Sequence, residues 1–233
     1  MQDIQPQQSK DMSMQTINWA SVLDERLYAP LEELLEDDFP LHFDRLSNGG
    51  IDVVLQEGPY TTYIAEKPSY AKRGQYFPLE LSFCRRGTVY AGWLLDSPAH
   101  YFLLYCPLEE SLHALLVSKE RLLRELARRG FDRAAMADRD ELIRKGRWPG
   151  VYQTADPDVS FAFGGSGGRE AVSLRVSARA LEAIAAGNFV VPLGDGQEPM
   201  AGKWMGQELR ARQEGLDHAG RAVSPRCTIE PHI

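Results

Sequence analysis

No stretch of the chain approaches the 18 or so uninterrupted apolar residues that a membrane-spanning helix needs. Cysteine is scarce. Cys84, Cys106 and Cys227 are an odd number with no C-x-x-C pair, which argues against a zinc site built on cysteine pairs and fits a reducing compartment. Cys84 and Cys106 fall inside apolar runs and read as small core residues. Positive charge is in deficit, 26 Lys+Arg against 33 Asp+Glu for a net charge of -7, so the chain does not coat nucleic acid or membrane by charge alone. The five histidines show no H-x-x-x-H ligand spacing. The opening residues MQDIQPQQSKDMSMQ lack the apolar run and small-residue cleavage site of a signal peptide, so the expected location is the cytoplasm.

What is present suits one soluble domain with tails. The 233 residues are 43% hydrophobic and 25% charged, enough to bury a core. Charge is uneven: residues 1–58 carry a net -9, residues 59–150 a net +4 and the remainder -2. A positive middle in an acidic chain points to a polyanionic ligand or to a mixed solvated surface. Residues 1–15 are polar and Gln-rich and are expected to be a disordered tail. From 16 the apolar spacing of Trp19, Val22, Leu23, Leu27, Leu31, Leu34 and Leu35 predicts a helix, kinked or restarted at Pro30.

Strand signals follow: Pro40–Leu46, Ile51–Leu55, Tyr60–Lys67, Leu79–Phe83, Val89–Leu95, the continuous apolar run Tyr101–Leu108, and Leu112–Val117. Ser118 caps a second helix with Leu122, Leu123 and Leu126 inward and Gly130 at its end. Val159–Phe163 and Ala171–Val176 form a hairpin, Ser177–Ala186 a small helix and Phe189–Leu193 a last strand. The expected domain is therefore 16–193, α/β with a mixed central sheet flanked by helices, and 194–233 is a peripheral tail.

Two signatures fail. Gly164–Gly168 satisfies G-x-S-x-G, but an alternating strand follows where the nucleophile elbow needs a helix. Gly196 to Gly202-Lys203 has five intervening residues instead of the four of a P-loop, and Trp204 where it needs Ser or Thr. One constellation survives. Glu25 lies on the first helix, Asp52 is the one charge in Ile51–Leu55, and the next strand ends Ala65-Glu66-Lys67. A carboxylate inside an apolar strand is costly unless it is paired, hydrogen-bonded or metal-bound. Carboxylates converging with a lysine hold Mg²⁺ for phosphodiester hydrolysis, the metal supplying nucleophile and charge stabilisation.

This helix followed by three strands resembles the PD-(D/E)XK nuclease superfamily, over roughly residues 17–130. Glu25 resembles the helix acid, Asp52 the acid of the second strand and Lys67 the lysine of the third. The tryptophan-containing segment Gly92–Asp96 before Tyr101–Tyr105 resembles a phage and mobile-element branch of the superfamily. The family pattern wants an acid two residues before the lysine, and Ala65 stands there. Alternation puts Ala65 and Lys67 on one strand face, so Glu66 replaces the missing acid only if the strand bulges; Glu80 is the other candidate for a migrated acid.

The resemblance implies a restriction-endonuclease-like core and a metal-dependent DNA endonuclease or resolvase, with catalytic Asp52, Lys67 and Glu66 or Glu80. Its metal, Mg²⁺ or Mn²⁺, would be held by Glu25, Asp52 and Glu80. The alternative is a catalytically degenerate module that binds DNA or protein within a phage or mobile-element complex; a third reading is an unrelated α/β binding protein. Lys72, Arg73, Arg124 and Arg128 are the candidate DNA-contacting residues. The implied partners are DNA, other proteins of such a complex and a second copy of the chain; a membrane is not among them.

Overall fold

The computed structural model describes residues 18–35, 41–48, 50–57, 60–69, 75–108, 110–146, 149–166, 169–193 and 200–203. The expected N-terminal tail, Lys72, Arg73 and all but a few residues of 194–233 lie outside the described residues. The chain opens with α1 (Trp19–Leu23), a π-helical turn (Asp24–Tyr28) and α2 (Ala29–Leu35) in unbroken succession. Pro30 explains the wide turn. Its ring cannot sit against the carbonyl four residues back and it has no N–H to return. Just before it, the Ala29 N–H bonds to the Asp24 carbonyl, five residues back.

Seven strands make the first sheet, in the order β1 (Leu41–Asn48), β2 (Ile51–Glu57), β3 (Tyr60–Pro68), β6 (Tyr101–Pro107), β7 (Ser111–Ser118), β11 (Gly187–Pro192) and β12 (Met200–Lys203). Every neighbouring pair is antiparallel except β3 and β6. A parallel pair needs a long crossover. Here the crossover contains β4 (Tyr76–Arg85), β5 (Thr88–Ala91) and the single helical turn α3 (Trp93–Asp96). β4 and β5 join β8 (Gly150–Gln153), β9 (Val159–Ser166) and β10 (Arg169–Ser177) in a second, wholly antiparallel sheet of order β5-β4-β10-β9-β8. The remaining helices are α4 (Lys119–Arg128), α5 (Arg133–Gly146) and α6 (Ala178–Glu182).

The first sheet is therefore covered twice. On one face Leu23, Leu27 and Leu31 of the N-terminal helix pack on Val53, Leu55, Ile64 and Leu103. On the other, Ala65, Phe102, Leu104 and Leu115 meet Phe77, Leu79, Phe161 and Leu174 of the second sheet, closed at the side by Leu122, Leu126, Met136 and Ile143. Tyr101 to Cys106 are all buried, as the continuous apolar run requires. The α/β class stands, but a second sheet covers the face where a flanking helix layer was expected. The strand expected over Val89–Leu95 ends at Ala91. A side chain at Gly92 would put its Cβ 2.3 Å from the Glu80 carbonyl oxygen, so the chain crosses β4 there and turns into α3. Past the boundary expected at 193, β12 pairs with β11 at the sheet edge. Helix α5 was not foreseen; only Met136 and Ile143 mark its apolar side. Among the described residues no helix is long and apolar enough to cross a membrane.

Candidate functional site

Strand β3 pairs with β2 through Val53 opposite Ile64, and with β6 from Ile64 to Pro68 without a shift of register. With no bulge, alternation holds through Ala65, Glu66 and Lys67. Ala65 is fully buried toward the second sheet, and Lys67 shares that face. The Lys67 ammonium lies 3.7 Å from Asp52 Oδ2 and 5.7 Å from the centre of the Trp93 ring. Trp93 in turn packs edge-on against Phe102, with ring centres 4.9 Å apart. Asp52 also completes the sheet. Beyond the last β2–β3 pair, its Oδ2 accepts the Glu66 N–H at 2.8 Å. The carboxylate thus serves as a ladder acceptor as well as the partner of Lys67.

Glu66 points the other way, under the N-terminal helix, with 8% of its side chain exposed. Tyr28 donates to its Oε1 at 3.0 Å, and Arg45 donates to both of its oxygens at 3.0 Å. The same guanidinium forks onto Asp24 and donates to the Ala20 carbonyl. Burial pushes the Glu66 carboxyl above its ordinary range, against the opposing pull of Arg45 and Tyr28. Burial first, then the Glu66 charge, raises the Tyr28 hydroxyl well above its usual value. The π-helical turn presents Asp24 and Tyr28 to the same guanidinium and carboxylate.

The expected metal set does not assemble. Glu25 sits exposed on a helix that packs against the face opposite Lys67, and Glu66 is closed off on that same face. Glu80 belongs to the second sheet and binds Arg169 at 2.6 Å. Its carboxyl is raised by burial, with Arg169 and then Lys67 pulling it back. Asp52 and Lys67 are brought together as expected; Glu25 and Glu66 are not brought to them. Among the described residues no three His, Cys, Asp or Glu side chains group closely enough to hold a metal ion.

The basic helix carries arginines beside acids. Arg124 pairs with Glu120, Arg128 with Glu125, and Arg129 with Glu125, Asp156 and Asp158. Arg128 and then Arg129 hold the Glu125 carboxyl down at about 2. Arg124 and Arg128 thus each have an acid of their own helix beside them, while Lys119 donates to the Leu95 and Ser97 carbonyls. Sequence reasoning missed Arg45 and Asp24 altogether, and no local pattern marks them. Their meeting with Glu66 depends on the hairpin between β1 and β2 and on the docking of the helix. Compared with family models, with curated proteins and with solved structures, the chain matches none.

Proposed function

We propose that the chain is a non-hydrolytic nucleic-acid-binding module on a PD-(D/E)XK-like core, working beside other proteins of a phage or mobile-element complex. The observation that carries this reading is Ala65. It is fully buried on the Lys67 face, where the third acid of the nuclease pattern belongs, while the neighbouring Glu66 is enclosed with Arg45 and Tyr28 on the opposite face. A hard cation such as Mg²⁺ needs several oxygen ligands in near-octahedral geometry. Asp52 supplies one carboxylate, already shared between Lys67 and a backbone N–H. Among the described residues, those beside Lys67 therefore do not fit Mg²⁺ or Mn²⁺. The mixed charge of the chain, -7 overall with a positive middle, suits a subunit that binds alongside partners.

The test is cleavage. Purified protein with Mg²⁺ or Mn²⁺ is expected to leave linear, supercoiled and four-way-junction DNA intact. One observation favours the endonuclease or resolvase reading: Lys67, after Arg169, helps to hold the Glu80 carboxyl down against its burial. Cleavage that chelator stops, and that Asp52→Ala and Glu80→Gln each abolish, would overturn the binding-module reading in its favour.

A further inference from the structure

The second sheet has one buried face and one open face. Along β10 the pattern is regular: Val172, Leu174 and Val176 are buried in the core, while Arg169, Ala171, Ser173 and Arg175 alternate with them on the open side. Among the described residues the apolar core lies on the other side, and the middle of this face is made of small residues, Ala171 and Ser173 beside Ala162 and Gly164, with Ser160 buried opposite Arg175. A nucleotide backbone can come close to such a surface.

Aromatic rings and arginines flank the small residues. Phe83 and Tyr90 face each other across β4 and β5 and stack with ring centres 5.1 Å apart and planes 18° from parallel. Tyr90 is 47% exposed. The Arg169 guanidinium lies 4.4 Å over the Phe83 ring, and Arg175 lies 4.7 Å over Tyr76. The two arginines are six residues apart on one strand, about 20 Å. At the tip of the β4–β5 hairpin, Arg85 and Arg86 have no acid partner among the described residues, in contrast to Arg124, Arg128 and Arg129 of α4. Arg86 also holds φ at +52°, followed by Gly87 at +80°, in a two-residue turn where Asn or Gly is the low-strain choice. A cation is kept at the tip where a less strained residue would serve the turn better. Of the acids along this face among the described residues, Glu80 opposite Ser173 is paired with Arg169, and Asp158, which accepts from the Ser177 hydroxyl at the end of the row, is paired with Arg129; Glu170 pairs with Cys84 on the alternate side.

We infer that the open face of the second sheet binds single-stranded nucleic acid, with bases stacking on Tyr90 beside Phe83 and phosphates meeting Arg85, Arg86 and Arg175. The inference rests on the nucleic-acid reading above and deepens it by naming the strand state and the surface. Charge together with stacking selects this occupant. An exposed tyrosine ring and arginines on one sheet face match unstacked bases and phosphates, and a duplex hides the base faces that Tyr90 would use.

The experiment measures fluorescence anisotropy of labelled oligo-dT and oligo-U of about fifteen nucleotides, a duplex of equal length, and poly-glutamate as competitor, at ~50 mM salt. Single strands of either sugar are expected to bind more tightly than the duplex. Tyr90→Ala is expected to weaken binding about ten-fold. Arg85→Glu with Arg86→Glu should weaken it further and flatten the salt dependence. Arg86→Gly should raise the melting temperature while lowering affinity, a combination that a purely structural turn residue does not give. Lys145→Glu, on the Glu141-paired cation of α5, is the control for a change of overall charge. Undetectable binding, a duplex bound as tightly as single strands, unchanged affinity in Tyr90→Ala, or poly-glutamate competing as well as unlabelled oligo-dT would overturn the inference. The last result would mean an acidic protein as occupant. Absence of binding to single strands and duplex alike would sink the nucleic-acid reading together with the inference, whereas a duplex bound as tightly as single strands, or unchanged affinity in Tyr90→Ala, would sink the inference alone.

Discussion

Glu66 and Lys67 are neighbours in sequence and opposites in the fold. On the helix side of β3 a carboxylate is buried with a guanidinium, a phenol and a second acid around it. On the other side a lysine rests between one half-exposed aspartate and the face of a tryptophan. The helix-side cluster is closed, and each member answers the charge or hydrogen bond of another. The lysine-side cluster is open and short of an acid, because Ala65 fills the space with a methyl group. The difference teaches that the polar groups on the helix side fasten the N-terminal helix, while the groups on the lysine side are the ones a ligand could reach.

The sharpest way to break this comparison is to remove Glu66. Glu66→Ala leaves Arg45 and Tyr28 without their buried acceptor and is expected to destabilise the fold by about 3 kcal/mol. Lys67→Ala should lose less than about 1 kcal/mol, since its pair with Asp52 is partly solvated. Urea unfolding of the two variants measures the contrast, and equal losses would show that the helix-side cluster is no tighter than the other. Next in size is Ala65→Glu, which forces a carboxylate into a fully packed site and is expected to cost roughly 1–3 kcal/mol in the presence of chelator. If Asp52 and the new acid face a common point, added Mg²⁺ should restore part of the lost melting temperature. A Mg²⁺-independent melting temperature would show that the Lys67 face cannot be converted by one residue.

A smaller effect is expected in the pH dependence. The folded chain holds the Glu66 proton to a higher pH than the unfolded chain does, because burial raises that carboxyl. Stability relative to Glu66→Gln should therefore fall as pH rises from the ordinary carboxylate value through the raised one. Glu125 has the opposite sign. Its depressed carboxyl contributes above the ordinary value and loses that contribution as pH falls toward about 2. Residue-resolved NMR titration of the two carboxyls checks both directions, and a Glu66 midpoint below the ordinary value would reverse the first. The smallest effect is expected on α4, where Arg124→Ala and Arg128→Ala break solvent-facing pairs and should leave the melting temperature nearly unchanged.

Much of the fold was legible because local rules decide it. The Leu23–Leu27–Leu31 spacing, the Ser118 cap, which accepts the Arg121 N–H, and Gly130 at the helix end each act within a few residues. The pairing of Phe83 with Tyr90 was legible in principle as well, since a two-residue turn at Arg86-Gly87 fixes the register of the strands beside it. The candidate site was half legible. Alternation put Lys67 and Ala65 together and Glu66 apart, and the ladder keeps them so. Glu25 was misplaced because helix periodicity tells which residues face a sheet and not which of its two faces the helix covers.

The sequence by itself determined the elements, their apolar sides and the absence of an acid at position 65, because these depend on covalent order and on periods of 2 and 3.6 residues. Only the tertiary structure decided that β4 and β5 leave the first sheet to found a second, and that Arg45 closes on Glu66. It also decided which face of the second sheet turns to the core. Those outcomes depend on contacts between segments far apart in the chain. Their strength is fixed by burial and by the charges that burial brings together, and neither quantity exists until the layers have packed.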